Sequence, residues 1–86
     1  MAYPVYNTVS ALAQNTTAKY FNNKGVLVVP GSSNASVVIK TYSNPGGGEE
    51  GDSITFAALA NTAPFVIPIR VHSTGAISNA TVFELL

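Results

Sequence analysis

Apolar and polar residues alternate along most of the chain, and the three-to-four-residue spacing of an amphipathic helix is almost absent. β-Branched Val, Ile and Thr dominate the alternating stretches, while Gly, Pro, Asn and Ser fill the gaps between them. A period of two places every second side chain on the same face of a strand. The pattern therefore predicts an all-β chain of about seven strands. The predicted strands are Tyr3–Val9, Thr17–Phe21, Val26–Val29, Ala35–Tyr42, Ser53–Leu59, Phe65–His72 and Asn79–Leu85.

Turn-forming residues separate these strands at 22–25, 30–34 and 73–76. Regular spacing of short strands is typical of a sandwich or barrel, so we expect one small antiparallel β-sandwich or jelly-roll-like barrel spanning residues 1–86. Stretches 9–13 and 57–60 contain good helix formers, but each is shorter than two turns. A short helical turn is the most that we expect there, because isolated helices below about 12 residues are marginal.

The inward-facing positions of the strands supply a candidate core. Alternation within Phe65–His72 places Ile67 and Ile69 on one face and Arg70 and His72 on the other. We therefore predict a core of Val26, Val28, Val37, Ile39, Ile54, Phe56, Ile67, Ile69 and either Val82 or its neighbour Phe83.

Charge is scarce: 47% of the residues are hydrophobic and only 9% are charged, with four basic and four acidic side chains and no cysteine. Surfaces of small designed domains carry about 25–35% charged residues. We therefore expect this chain to cover itself with uncharged polar groups and to bury part of its exterior against other molecules. The scattered basic residues provide no patch for phosphates, so a nucleic-acid partner is not expected.

Candidate catalytic and metal sites are weak. The loop 44–52 holds Glu49, Glu50 and Asp52, but their spacing does not match a calcium-binding loop, and we interpret it as a solvated hairpin tip. His72 is the only imidazole, and no serine lies in a G-x-S-x-G elbow. We therefore expect no enzyme, no catalytic residue, no metal and no cofactor.

The longest apolar run, 64–69, is six residues and contains two prolines. A membrane-spanning helix needs about 20 apolar residues, so no membrane partner is expected. The first residues lack the basic segment of a signal peptide, which favours synthesis in the cytoplasm. Residues 1–14 form either an arm that contacts a neighbouring subunit through Tyr3, Val5 and Tyr6, or the first strand of the sandwich.

Four further residues are candidates for an interface. Arg70 is predicted either to pair with Glu84 across a final hairpin or to contact a partner protein. His72 is interpreted as a surface or interface histidine. The closing strand has apolar residues on both faces, so Phe83 and Leu86 are predicted to lie at a contact between copies of the chain.

A pattern of Pro64-Phe65-Val66-Ile67-Pro68-Ile69-Arg70-Val71, a loop at 74–76 and a closing strand 80–86 resembles the last hairpin of small β-rich virion proteins of tailed bacteriophages. The segments 25–31 and 36–40 fit the same style of subunit, so the resemblance covers roughly residues 25–86. It brings no catalytic motif.

The resemblance implies a capsid decoration or cement protein, commonly a homotrimer, that binds a major capsid or tail protein. Such a protein is made in the host cytoplasm and resides in the virion. A tail spike or fibre-base subunit, a carbohydrate-binding β-sandwich module, and an enzyme subunit that completes a site across an oligomer interface remain alternatives.

Overall fold

A computed structural model describes residues 9–17, 23–44 and 47–86. Within these ranges the chain forms seven strands, and no helix long and apolar enough to cross a membrane is found among them. The strands are β1 (Val9–Leu12), β2 (Gly25–Pro30), β3 (Ala35–Tyr42), β4 (Glu50–Ala58), β5 (Phe65–Ile67), β6 (Val71–Ser78) and β7 (Ala80–Leu85).

The strands make two antiparallel sheets, one with the order β1-β7-β2-β5 and one with the order β4-β3-β6. The two sheets pack into a compact all-β sandwich, which confirms the predicted fold class. Four of the predicted strands correspond to β2, β3, β4 and β7, with β4 beginning three residues earlier than predicted. The predicted strands Tyr3–Val9 and Thr17–Phe21 lie outside the described residues, apart from Val9 and Thr17.

The core lies between the sheets and is built from β-branched and aliphatic side chains, as the alternation predicts. Leu12, Val28 and Val82 share one row of the four-stranded sheet, so the structure selects Val82 rather than Phe83 as the core residue. The buried cluster is Leu12, Val26, Val28, Val37, Ile39, Ile67, Val71 and Val82. Ile54, Phe56, Phe65, Ile77 and Ala80 are partly buried and pack against it.

The predicted strand Phe65–His72 is wrong: it is two strands in different sheets. β5 pairs with β2 and β6 pairs with β3, and residues 68–70 carry the chain from one sheet to the other. Pro68 has no N–H to donate to a ladder, and the Ile69 N–H bonds to the Ile67 carbonyl at 2.9 Å in a tight turn. Ile69 is therefore 37% exposed and does not belong to the core.

The predicted turn at 73–76 and the final hairpin are also wrong. Residues 73–76 lie inside β6, and β6 and β7 belong to different sheets, joined at Asn79 with a φ of 55°. Gly75 serves close packing instead of a turn, because a Cβ there would lie 2.8 Å from Cγ1 of Val38. The stretch 9–13, where we expected at most a helical turn, contains β1.

A buried polar contact ties the two sheets together. Asn23 is 4% exposed, and its amide pairs with the backbone of Val71 in both directions: Nδ2 donates to the carbonyl at 2.7 Å and Oδ1 accepts from the N–H at 2.8 Å. The same Nδ2 donates to Oε2 of Glu84 at 3.2 Å. The amide thus satisfies the backbone N–H and carbonyl of the first residue of β6 and also donates a hydrogen bond to a buried carboxylate of β7.

We predict that Ile39→Ala lowers the free energy of unfolding by about 2–5 kcal/mol, because the side chain is fully buried and its truncation leaves a cavity. The matched variant Ile69→Ala should cost about 0.5 kcal/mol or less, because Ile69 lies at the exposed crossing. Chemical denaturation monitored by circular dichroism measures both values. Equal costs for the two variants would contradict this assignment of the core.

Candidate functional site

Two β-bulges place charged side chains at one end of the three-stranded sheet. Lys40 pairs with Ser73 whereas Thr41 pairs with Val71, so His72 is an extra residue in β6. On the other side of β3, a second register shift sets two residues of β4, Gly51 and Asp52, opposite the single residue Thr41, so β4 also has one extra residue. Bulges bend a strand and re-aim its side chains.

A compact cluster results, which we call the polar cluster: Lys40, Tyr42, Glu50, Arg70, His72 and Ser73. Lys40 Nζ lies 3.1 Å from Glu50 Oε1, and His72 Nδ1 lies 2.9 Å from Ser73 Oγ. The Tyr42 ring joins the charged groups. Its centroid lies 5.2 Å from that of His72 in an edge-on arrangement, and the Arg70 guanidinium carbon lies 3.9 Å from it in a cation–π contact.

The electrostatics of the polar cluster centre on Glu50. The hydrogen bond and the charge of Lys40 lower the pKa of the Glu50 carboxyl and outweigh the opposing effect of desolvation. The charge of His72 and a hydrogen bond with Ser73 lower this pKa further, each by less than desolvation raises it. The ammonium and the carboxylate offset each other, so this ion pair leaves little net charge. Both side chains are substantially exposed, so solvent screening keeps the contribution of the ion pair to stability small.

A depression of about 210 Å³ lies beside the polar cluster. Thr74 defines one wall, since its hydroxyl donates to the Ala13 carbonyl at 2.8 Å and accepts from the Thr16 N–H at 2.9 Å. The lining residues are Asn15, Thr16, Thr17, Lys40, Glu50, His72, Ser73 and Thr74. This lining offers hydrogen-bond donors and acceptors to a neutral, hydroxyl-rich molecule.

The polar cluster is poorly arranged for nucleophilic chemistry. His72 Nδ1 is close enough to Ser73 Oγ to accept its proton, but Ser73 is only 7% exposed and lies within β6. Among the described residues, no group of three or more His, Asp or Glu side chains is placed to hold a metal ion.

The outer face of the four-stranded sheet has the opposite character. Ala11, Phe83, Leu27 and Val66 lie in one row across its four strands, by the register of the ladders. Val9, Val29 and Thr81 extend this row along the same side. We call these seven residues the uncharged face. Val9 is 56% exposed and Val66 is 42% exposed, so apolar surface is open to solvent there.

The sequence-predicted interface residues are distributed over both surfaces. Arg70 and His72 meet at Tyr42 in the polar cluster, and Phe83 lies at the middle of the uncharged face. Leu86 is partly buried at the end of β7, and Tyr3, Val5 and Tyr6 lie outside the described residues.

The expected Arg70–Glu84 ion pair is not present between these two residues, because Glu84 points into the core toward Asn23.

Sequence reasoning missed the roles of Lys40, Tyr42 and Glu50, because the bulges that gather them leave no clear mark in the residue pattern. It also missed the share of β2 in the uncharged face. The signal was available there: Val26 to Val29 are all apolar, and an uninterrupted apolar strand has two apolar faces.

Comparisons with protein-family models, with curated proteins and with solved structures give no match for this chain.

We predict that Lys40→Met raises the pKa of the Glu50 carboxyl toward its ordinary value, as followed by an NMR titration of its side-chain carbon. The folded pKa lies below the unfolded one, so the ion pair contributes stability above the unfolded pKa and loses it as the pH falls through the folded pKa. Lys24→Met is the control, because Lys24 does not contribute to the lowered pKa of Glu50. An unchanged pKa of Glu50 in Lys40→Met would contradict the geometry of the pair.

Proposed function

We propose that this chain is a non-enzymatic structural protein that self-associates through the uncharged face, and that it decorates or cements the capsid of a tailed phage. The observation that carries the proposal is the uncharged face itself: seven residues on four neighbouring strands, six apolar and one threonine. A charge-depleted, apolar centre is the compositional mark of a stable protein interface.

The area of the four-stranded sheet is consistent with self-association through the uncharged face. A standard interface buries about 800 Å² on each partner, which is roughly a sixth of the 5181 Å² accessible surface of the chain. One sheet face of a small sandwich is sufficient for such a contact. Burial of apolar area at about 25 cal/mol per Å² then favours association, although ordering and desolvation costs consume much of it.

A second copy of the chain is the occupant that best fits the uncharged face. The face offers no charge for a complementary charged partner, and its apolar residues can pack against apolar residues of neighbouring copies around a symmetry axis. A homotrimer follows from the resemblance to phage virion proteins. Further contacts to a major capsid or tail protein would come from Arg70, His72 and the N-terminal residues Tyr3, Val5 and Tyr6.

A decorating oligomer can bind a lattice tightly through several weak contacts. When it binds several lattice subunits at once, each additional contact is intramolecular, and the high effective concentration raises the overall affinity above that of one contact. Short uncharged side chains such as Ser36, Ser53 and Ser78 on the outer side of the three-stranded sheet can hydrogen-bond to a lattice without the desolvation cost of charges.

We predict that Val66→Asp yields a smaller species than the parent in size-exclusion chromatography with light scattering, because it places a charge on the uncharged face at an exposed edge position. Phe83→Asp should have the same effect or prevent folding, since Phe83 is more central. Ser78→Asp is the control: it adds the same charge at an exposed position of the other sheet. Parental mass in folded Val66→Asp would refute self-association through this face.

We predict that quantitative mass spectrometry finds many copies of the chain in each purified particle of the phage that encodes it. A version lacking residues 2–8 retains β1 and should fold but bind particles less, if the N-terminal residues form the attachment arm. Absence of the chain from particles would contradict the proposal.

A glycan array tests the carbohydrate-binding alternative. If a monomeric chain bound glycans on the array, that alternative would be favoured, with the depression beside the polar cluster as the binding site.

A further inference from the structure

The two sheets end in four edge strands, and three of these edges are short or covered. β5 has three residues and lies between Pro64 and Pro68, and β1 has four residues. β6 is bordered by the segment 15–17: Asn15 donates its N–H to the Gly75 carbonyl, and the Thr74 N–H donates to the Thr16 carbonyl, each at 2.8 Å. Short strands, prolines and covering segments are the usual means of protecting a sheet edge.

β4 is the exception. It is the longest strand, with nine residues, and among the described residues it pairs only with β3. Its protective features are confined to its first three residues, where Glu50, Asp52 and the bulge at Gly51 lie. The remaining stretch, Ser53 to Ala58, has no charge and no proline. A sheet edge of this kind exposes unpaired N–H and carbonyl groups to a further strand.

The core-facing side of β4 is incomplete in the same way. Ile54 and Phe56 pair with Ile39 and Val37 and point toward the core, yet both are only partly buried. The strand that they belong to has no neighbour on its outer side among the described residues, so their apolar surface remains open to solvent. An additional strand along β4 would cover these two side chains and satisfy the backbone edge in one contact.

We propose that β4 pairs antiparallel with β4 of a second copy, with Thr55 on the two-fold axis, so that the two three-stranded sheets join into one of six strands. In this register Ile54 of each copy opposes Phe56 of the other, a cross-strand pair of β-branched and aromatic side chains on the core side. Asp52 of each copy then opposes Ala58 of the other. A parallel arrangement would place the acidic residues of the two copies side by side, which is unfavourable.

This contact goes beyond the uncharged face, because it uses the other sheet. A subunit with two separate self-contacts can link one oligomer to the next instead of closing on itself. The edge contact therefore connects oligomers that the uncharged face forms, as a cementing protein requires.

Thr55→Cys tests the proposal directly, because the chain has no cysteine and the variant carries a single thiol. Residues that oppose each other in an antiparallel pair have Cα atoms about 4.5–5.5 Å apart, which is within the range of a disulfide. Under mild oxidation we expect Thr55→Cys to form a covalent dimer at least about tenfold faster than Ser78→Cys, because pairing raises the effective thiol concentration. Equal rates would overturn the proposal.

A charge exchange gives an independent test in the background of Val66→Asp, which removes the contact through the uncharged face. Thr55→Lys and Thr55→Glu each place a charge opposite itself on the two-fold axis, so each variant alone should lose dimer in light scattering. An equimolar mixture should recover it, since the opposite charges then face each other. No recovery in the mixture would overturn the edge contact. If the Val66→Asp variant without a second substitution kept the parental mass, only the proposed contact through the uncharged face would be refuted.

Discussion

The buried amide of Asn23 is the contact on which both candidate surfaces depend. It holds the backbone of Val71 and the carboxylate of Glu84, and these residues belong to different sheets. Val71 is followed by the bulged His72 of the polar cluster, and Glu84 follows Phe83 of the uncharged face. A buried amide leaves its partners unsatisfied if it is lost, at a cost of about 1–3 kcal/mol for each group. The Asn23 side chain therefore helps the shared core to fix the relative position of the two sheets.

The outer sides of the two sheets differ in polarity. This difference supports the proposal that the four-stranded sheet contacts other copies of the chain while the three-stranded sheet contacts a lattice. The three-stranded sheet carries the polar cluster and small hydroxyl side chains, whereas the four-stranded sheet carries the uncharged face. A chain of 86 residues without cysteine has a small core and no covalent cross-link. Association would add buried apolar area to that core, so folding stability and oligomerisation are expected to be linked through concentration.

The sequence was most informative where one local rule decides the structure. In β3 the polar residues Ser36 and Lys40 share one side of the strand, and Val37 and Ile39 share the other. This pattern predicted the observed bounds of β3 and the side that is buried. The prediction failed where hydrophobic alternation and the effect of a proline compete. Phe65 to His72 alternates like one strand, but Pro68 divides it between two sheets, so the side on which Ile69 lies was misassigned.

Glycine misled in a related way. Gly75 is a turn residue by type, but here it allows β6 to approach Val38 within a strand. The polar cluster depends on register shifts in β4 and β6, which arise from pairing between distant segments. No local pattern encodes such shifts, so Lys40, Glu50 and Tyr42 could be brought together only by the structure.

We propose that this small sandwich exists as an assembly of copies. Sedimentation equilibrium of the unmodified chain, over a range of concentrations around the micromolar level, tests it most directly. We predict masses that are multiples of the 8.9 kDa chain and that increase with concentration. A single 8.9 kDa species over the whole range, with a melting temperature independent of concentration, would contradict it.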